Sequence, residues 1–131
     1  MEERRGPVRT QALVLALAAA PALACELPGG PAQKLQSAAH TLLYRAAPAP
    51  AVGEHFALEI AVCPAPERLS VEAWMPAHRH GMNYRPSIQA LGGGRYRAQG
   101  LMFHMAGRWE YLFELHGGGR TERLGHAVTL E

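Results

Sequence analysis

The sequence predicts an all-β fold, an immunoglobulin-like antiparallel β-sandwich of about seven strands. Apolar residues recur with a period of two from Gly53 onward, and glycine and proline clusters interrupt that pattern at short intervals. After Ala24 no helix-period segment exceeds two turns. Short alternating strands with Gly/Pro turns are what two packed antiparallel sheets require.

Phe56, Leu58, Ile60 and Val62 share one side of the first full strand, with Glu59 on the other. Pro64-Ala65-Pro66 ends it, because proline has no N–H to give a ladder. Leu69, Val71, Ala73 and Met75 repeat the pattern until Pro76, and these two strands are expected to pair. Gly92-Gly93-Gly94 then turns the chain into the segment Tyr96 to Met105, where Arg95 and Arg97 alternate with apolar neighbours. Ala106-Gly107 reads as a hairpin turn into the stripe Trp109, Tyr111, Phe113 and Leu115. Gly117-Gly118-Gly119 leads into a last strand, Leu124 to Leu130. Ahead of Gly53, Thr41 to Arg45 is expected as an edge strand, and Ala46-Ala47-Pro48-Ala49-Pro50-Ala51 as a connector. The sandwich domain is thus placed at 53–131, and 25–52 is read as an N-terminal segment with an Ala/Pro-rich connector.

Residues 1–24 have the pattern of a cleavable signal peptide. Arg4, Arg5 and Arg9 precede an apolar run from Ala12 to Ala24 that ends in Ala22-Leu23-Ala24, an A-x-A cleavage site. As a membrane anchor the run would fall short, since thirteen helical residues do not cross a hydrocarbon core of ~30 Å. Export implies a periplasmic or extracellular location and an oxidising compartment, where the two cysteines, Cys25 and Cys63, suit one disulfide. Cys25, first after the cleavage site, has lipidation as a rival fate. Ala22 stands where lipidation usually wants Leu, which favours the bridge.

Charge excludes one class of partner. The net charge is +2, and the 107 residues left after cleavage carry ten cations against nine anions, with no Asp and one Lys. Nucleic-acid binding needs a clustered basic surface, which dispersed arginines do not supply. Enzymatic machinery is not expected either. There is no G-x-S-x-G, serine is confined to Ser37, Ser70 and Ser87, and Glu59, Glu72, Glu110 and Glu114 read as solvated or as cross-strand partners of arginines.

Donor-bearing residues concentrate in Met75-Pro76-Ala77-His78-Arg79-His80-Gly81-Met82. In an extended segment His78, His80 and Met82 point the same way, and Phe103-His104-Met105 is placed to approach them across the mouth of the sandwich. Imidazole suits copper in either oxidation state and thioether sulfur suits Cu(I), whereas neither favours Mg²⁺ or Ca²⁺. Zinc would gain little from Met, and no carboxylate occurs between Glu72 and Glu110. The competing structural account has His78 and His80 capping loop carbonyls and Met82 and Met105 filling core gaps. His40, His55, His116 and His126 stand apart and are expected to be solvated, while Trp74 and Trp109 are expected to pack in the core or on a sheet.

The ordered run M-P-A-H-R-H-G-M at 75–82, Arg85-Pro86, Gly94-Arg95-Tyr96-Arg97 and F-H-M-A-G-R-W-E at 103–110 resembles the YtkA-like domain of bacterial exported proteins. The likeness covers about Gly53 to Leu115. It departs at Arg79, where members often have Gly, and at Ala106, where they often have Pro. The resemblance implies an immunoglobulin-like sandwich, export, and association with copper handling or respiratory-chain assembly. Carried onto this chain, its recurrent polar positions are His78, His80, Met82, His104 and Met105.

The expectation is an exported copper-sequestering or copper-delivering module. Its ligands would be His78, His80 and Met82 with His104 or Met105, shielded by Trp74 or Tyr84, and its partner a membrane-bound respiratory or copper-transport protein. The rival in another class is a metal-free interaction or assembly domain for such a complex. A copper oxidoreductase ranks third.

Overall fold

The computed structural model describes residues 25–131, so the signal-peptide reading of 1–24 lies outside the described residues. Among the described residues, nine strands form two antiparallel sheets. β1 (Gln33–Gln36), β2 (Thr41–Ala47), β3 (His55–Cys63), β6 (Ser87–Gly92) and β7 (Arg95–Met102) make the first, in the order β1-β2-β3-β7-β6. β4 (Arg68–Met75), β5 (His80–Gly81), β8 (Gly107–Gly117) and β9 (Arg120–Leu130) make the second, in the order β5-β4-β8-β9. Six of the nine are strands named from the sequence, and β1, β5 and β6, each at a sheet edge, are the additional ones.

Period-two burial drives the packing. Leu69, Val71, Ala73 and Met75 are buried on β4, as are Trp109, Tyr111, Phe113 and Leu115 on β8, with exposed or half-buried residues between them. These face Phe56, Leu58, Ile60 and Val62 of β3 and Leu101 of β7 in one core. Each large side chain taken fully out of water contributes roughly 1.5–3 kcal/mol, so the two inner faces hold the sheets together. On the outer face, Glu59 stands between Arg45 and Arg97 in register, with Arg45 Nε donating to its carboxylate at 2.9 Å. Glu114 meets Arg123 across β8 and β9, as cross-strand charge pairing predicts, while Glu110 meets Arg108 two residues away on its own strand.

Five expectations are corrected. β3 and β4 do not pair, since 64–67 carries the chain from one sheet to the other. Proline stops a ladder, yet it does not say where the chain goes next. β7 and β8 are likewise no hairpin: residues 103–106 cross between sheets, with β7 bonded to β3 and β6 and β8 to β4 and β9. The domain boundary at Gly53 falls too late, because β1 and β2 belong to the first sheet and Leu42 and Tyr44 are core residues. β2 is flanked by β1 and so is not an edge. Ala46 and Ala47 stay on it opposite Leu58 and Ala57, because alanine accepts extended backbone and only Pro48 ends the ladder.

The glycine turns hold. Gly94, at φ +75°, closes the β6–β7 turn and accepts from the Val62 N–H at 2.8 Å, and a Cβ there would collide with the Val62 carbonyl oxygen. Cys25 and Cys63 are disulfide-bonded, tying the N-terminal segment to the end of β3. The guanidinium of Arg45 adds a second tie, donating to the carbonyls of Pro28 at 2.7 Å and Gly30 at 3.1 Å.

Candidate metal centre

Local chemistry builds the β4–β5 turn. Pro76 ends β4, the N–H of His78 donates back to the Met75 carbonyl at 3.2 Å, and Arg79 takes a left-handed φ of 52° that sends the chain home. β5 then pairs with β4, Met75 opposite His80 and Trp74 opposite Gly81. Directly opposed residues share a face. Because Met75 faces the core, the register delivers the His80 ring to the inner side of the sheet edge, against Trp109.

The 103–106 crossover supplies the other half. Phe103 is buried and stacks on Trp109, with ring centres 4.7 Å apart and planes 15° from parallel. Trp109 Nε1 donates to the Met105 carbonyl at 3.0 Å and pins the crossover over the indole. Gly107, at φ +124°, lets β8 start there, and a Cβ at that position would lie 2.9 Å from Met75 Cε.

Three imidazoles from two chain segments meet as a result. The ring centres of His78 and His80 are 5.7 Å apart, and those of His80 and His104 are 5.0 Å apart. The edge of Trp109 supports both inner rings, at 5.9 Å from His80 and 5.4 Å from His104. Nitrogens about 2.0–2.1 Å from a shared ion place two ring centres roughly 5 Å apart, so the His80–His104 spacing suits a common ion. His80 Nδ1 lies 3.1 Å from the Gly81 carbonyl oxygen, which can only accept, so Nδ1 carries the proton and Nε2 keeps its lone pair. Nδ1 of His104 is buried without any hydrogen-bond partner.

No family model, curated protein or solved structure matches this chain.

The methionines divide. Met105 follows His104 on the crossover and, like Met82, packs against the core. Met82, its N–H bonded to the Ala73 carbonyl at 3.3 Å, walls a neighbouring groove of about 360 Å³ with Trp74, Gly81 and Tyr84, which none of the three histidines borders. Trp74 is not in the core: it is 43% exposed and donates to Glu110 at 3.3 Å, and Tyr84 sets its ring against His55. Neither ring covers the imidazoles. Among the described residues, no group of three or more His, Cys, Asp or Glu side chains is disposed to hold a metal ion as it stands. An ion here would therefore need a donor of another kind beside two imidazoles, and Met105 adjoins His104 in the chain.

Histidines expected to be solvated have partners. His40 lies 3.0 Å from Glu122, His116 is 3.0 Å from Thr121 Oγ1, and His126 is hydrogen-bonded to the Tyr44 hydroxyl. Reading the sequence also missed the role of Trp109 as support for two imidazoles. The signal was present in its place on the Trp109–Leu115 stripe, one crossover away from His104.

Proposed function

We propose that this chain is an exported copper-binding module that holds Cu(I) between His80 and His104, with a thioether as third donor and His78 as the exposed ligand through which the ion arrives and leaves. The observation that carries this is the convergence of two segments on one point: His80 and His104 have ring centres 5.0 Å apart, each resting on Trp109, and the buried His104 Nδ1 is unpaired. An unpaired buried nitrogen costs about 1–3 kcal/mol, and a bound cation offsets that cost. Two nitrogens and a soft sulfur favour Cu(I) over harder ions.

Partial exposure fits exchange rather than permanent storage. His78 is exposed while His80 and His104 are half-buried, so a partner can displace one ligand at a time. The disulfide supports export, because such bonds persist in oxidising compartments, and it consumes the thiol that lipidation of Cys25 would need.

Titration of the purified chain with Cu(I) and with Cu(II), each against a competing chelator, tests the reading. His78→Ala/His80→Ala and His104→Ala should each weaken Cu(I) binding by at least tenfold, and His104→Ala should do so with little change in fold. Wild-type affinity in both variants would end the proposal.

A second reading, an assembly domain for a membrane respiratory or transport complex, draws support from the exposed rings of Trp74 and Tyr84 beside the 360 Å³ groove. In that case His80→Ala lowers thermal stability equally in chelated and copper-supplied protein.

A further inference from the structure

A second concentration of chemistry lies on the outer face of the first sheet, away from the imidazoles. Arg45 on β2, Glu59 on β3 and Arg97 on β7 stand side by side in register, and Arg95 precedes Arg97 by two residues on the same face. They line a cleft of about 330 Å³ whose far wall is the segment Leu27 to Gly29. That wall is fixed in place. The Cys25–Cys63 disulfide holds its start, and the carbonyls of Pro28 and Gly30 accept from Arg45.

The three guanidiniums are not equivalent. Arg45 commits its donors to Glu59 Oε2 and to those two carbonyls. Arg97 Nη1 lies 3.8 Å from Glu59 Oε1, too far for a hydrogen bond, and Arg95 makes no ion pair among the described residues. Both open to solvent: Arg95 is exposed, and the Arg97 side chain is 38% exposed. Glu59 Oε1 has no hydrogen-bond partner among the described residues and is not a buried atom, so a guest in the cleft can reach it.

Such a cleft offers guanidinium donors, one carboxylate acceptor and a surplus of two positive charges. Guanidinium forks match the oxygens of a tetrahedral or planar oxyanion. The carboxylate sets a further condition, because a bare oxyanion oxygen beside Oε1 is repelled, whereas a protonated one donates to it. The ion HPO₄²⁻ has the complementary charge and keeps one P–OH. Sulfate has the charge without the proton, and so does a phosphate monoester above its second pKa of about 6.

We infer that this cleft binds inorganic hydrogen phosphate, with Arg95 and Arg97 donating to its unprotonated oxygens and its P–OH donating to Glu59 Oε1. The site is separate from the imidazole cluster and does not depend on copper.

Calorimetric titration of the purified, metal-free chain at pH 8 and fixed ionic strength compares three dianions: inorganic phosphate, sulfate and methyl phosphate. Phosphate should bind, and the other two at least tenfold more weakly, because each lacks the proton that Glu59 accepts. Arg95→Gln and Arg97→Gln should each weaken phosphate binding about tenfold at an unchanged melting temperature. Arg120→Gln, which removes an exposed cation at the start of β9, should leave phosphate affinity unchanged. Glu59→Gln should let sulfate bind as tightly as phosphate, since an amide can donate to either. Absence of phosphate binding, equal affinity for the three dianions, or wild-type phosphate affinity in Arg95→Gln and Arg97→Gln overturns the inference. So does an equal loss in Arg120→Gln, which would mean that overall charge alone attracts the ion. Should Glu59→Gln fail to fold, the three dianions compared on the wild type still decide.

Discussion

One aromatic row in the core ends in two different ways. From Trp109 it passes to Phe103, then to Tyr111 at 5.8 Å, then to Tyr44, and a histidine stands at each end. At the Trp109 end, His78, His80 and His104 come from a turn and a crossover, and their rings are half-buried or exposed. At the Tyr44 end, Tyr44, Tyr111 and His126 all come from strands, and both phenols are buried. Loops present donors to solvent and to exchangeable ions. Strands bury them between the sheets. Among the described residues, each end keeps one buried polar atom unpaired.

The most forceful way to break the contrast is to remove the ring beneath the imidazoles. Trp109→Ala should cost about 3–5 kcal/mol of stability in urea unfolding and should weaken Cu(I) binding, because His80 and His104 lose their common support. Loss of stability without loss of Cu(I) affinity would mean that the indole does not position the imidazoles. The paired substitution Cys25→Ser/Cys63→Ser should cost roughly 2–4 kcal/mol. It should leave Cu(I) affinity at the imidazole end unchanged, since the bridge ties down the N-terminal segment and not the 75–82 turn.

Alkali should act on the Tyr44 end and on Tyr96, also raised by burial, rather than on the imidazole end. Burial pushes the Tyr44 phenol up to about 12, and Tyr111 is raised further, first by burial and then by the neighbouring Tyr44 charge. Below pH 10 both the folded and the unfolded chain keep these protons. Between pH 10 and 12 the unfolded chain releases them first, so stability falls as pH rises through that window. Urea midpoints measured from pH 9 to 12 should show the decline, and Tyr44→Phe should make it shallower. The smallest effect belongs to the turn at the imidazole end. Arg79→Gly relieves a left-handed residue and should raise stability by about 0.5–1 kcal/mol, read as a shift in urea midpoint; a loss would show that the Arg79 side chain itself holds the turn.

Much of this was legible beforehand, and particular residues show where legibility stopped. Leu69 to Met75 and Trp109 to Leu115 announced both strand and buried face, because a side-chain period of two needs no knowledge of partners. His78, His80 and His104 were picked out as donors for the same reason: residue type and spacing are local. Met82 was picked out too, yet it lines the next groove, since its extended-strand geometry with His80 ends where β5 ends after two residues. The Tyr44–Tyr111–His126 group could not be seen. Its members lie up to 82 positions apart, and His126 reads alone as one polar residue near the chain end.

The sequence alone determined that this chain makes short alternating strands, which side chains they bury, and where glycine and proline interrupt them, because each of these follows from backbone sterics within a few residues. Tertiary structure decided which strands pair, that 64–67 and 103–106 cross between sheets, and hence that His104 meets His80 and Tyr44 meets Tyr111. Such contacts arise only when two sheets close over one core, and the closure is set by the summed burial of residues distant in the chain.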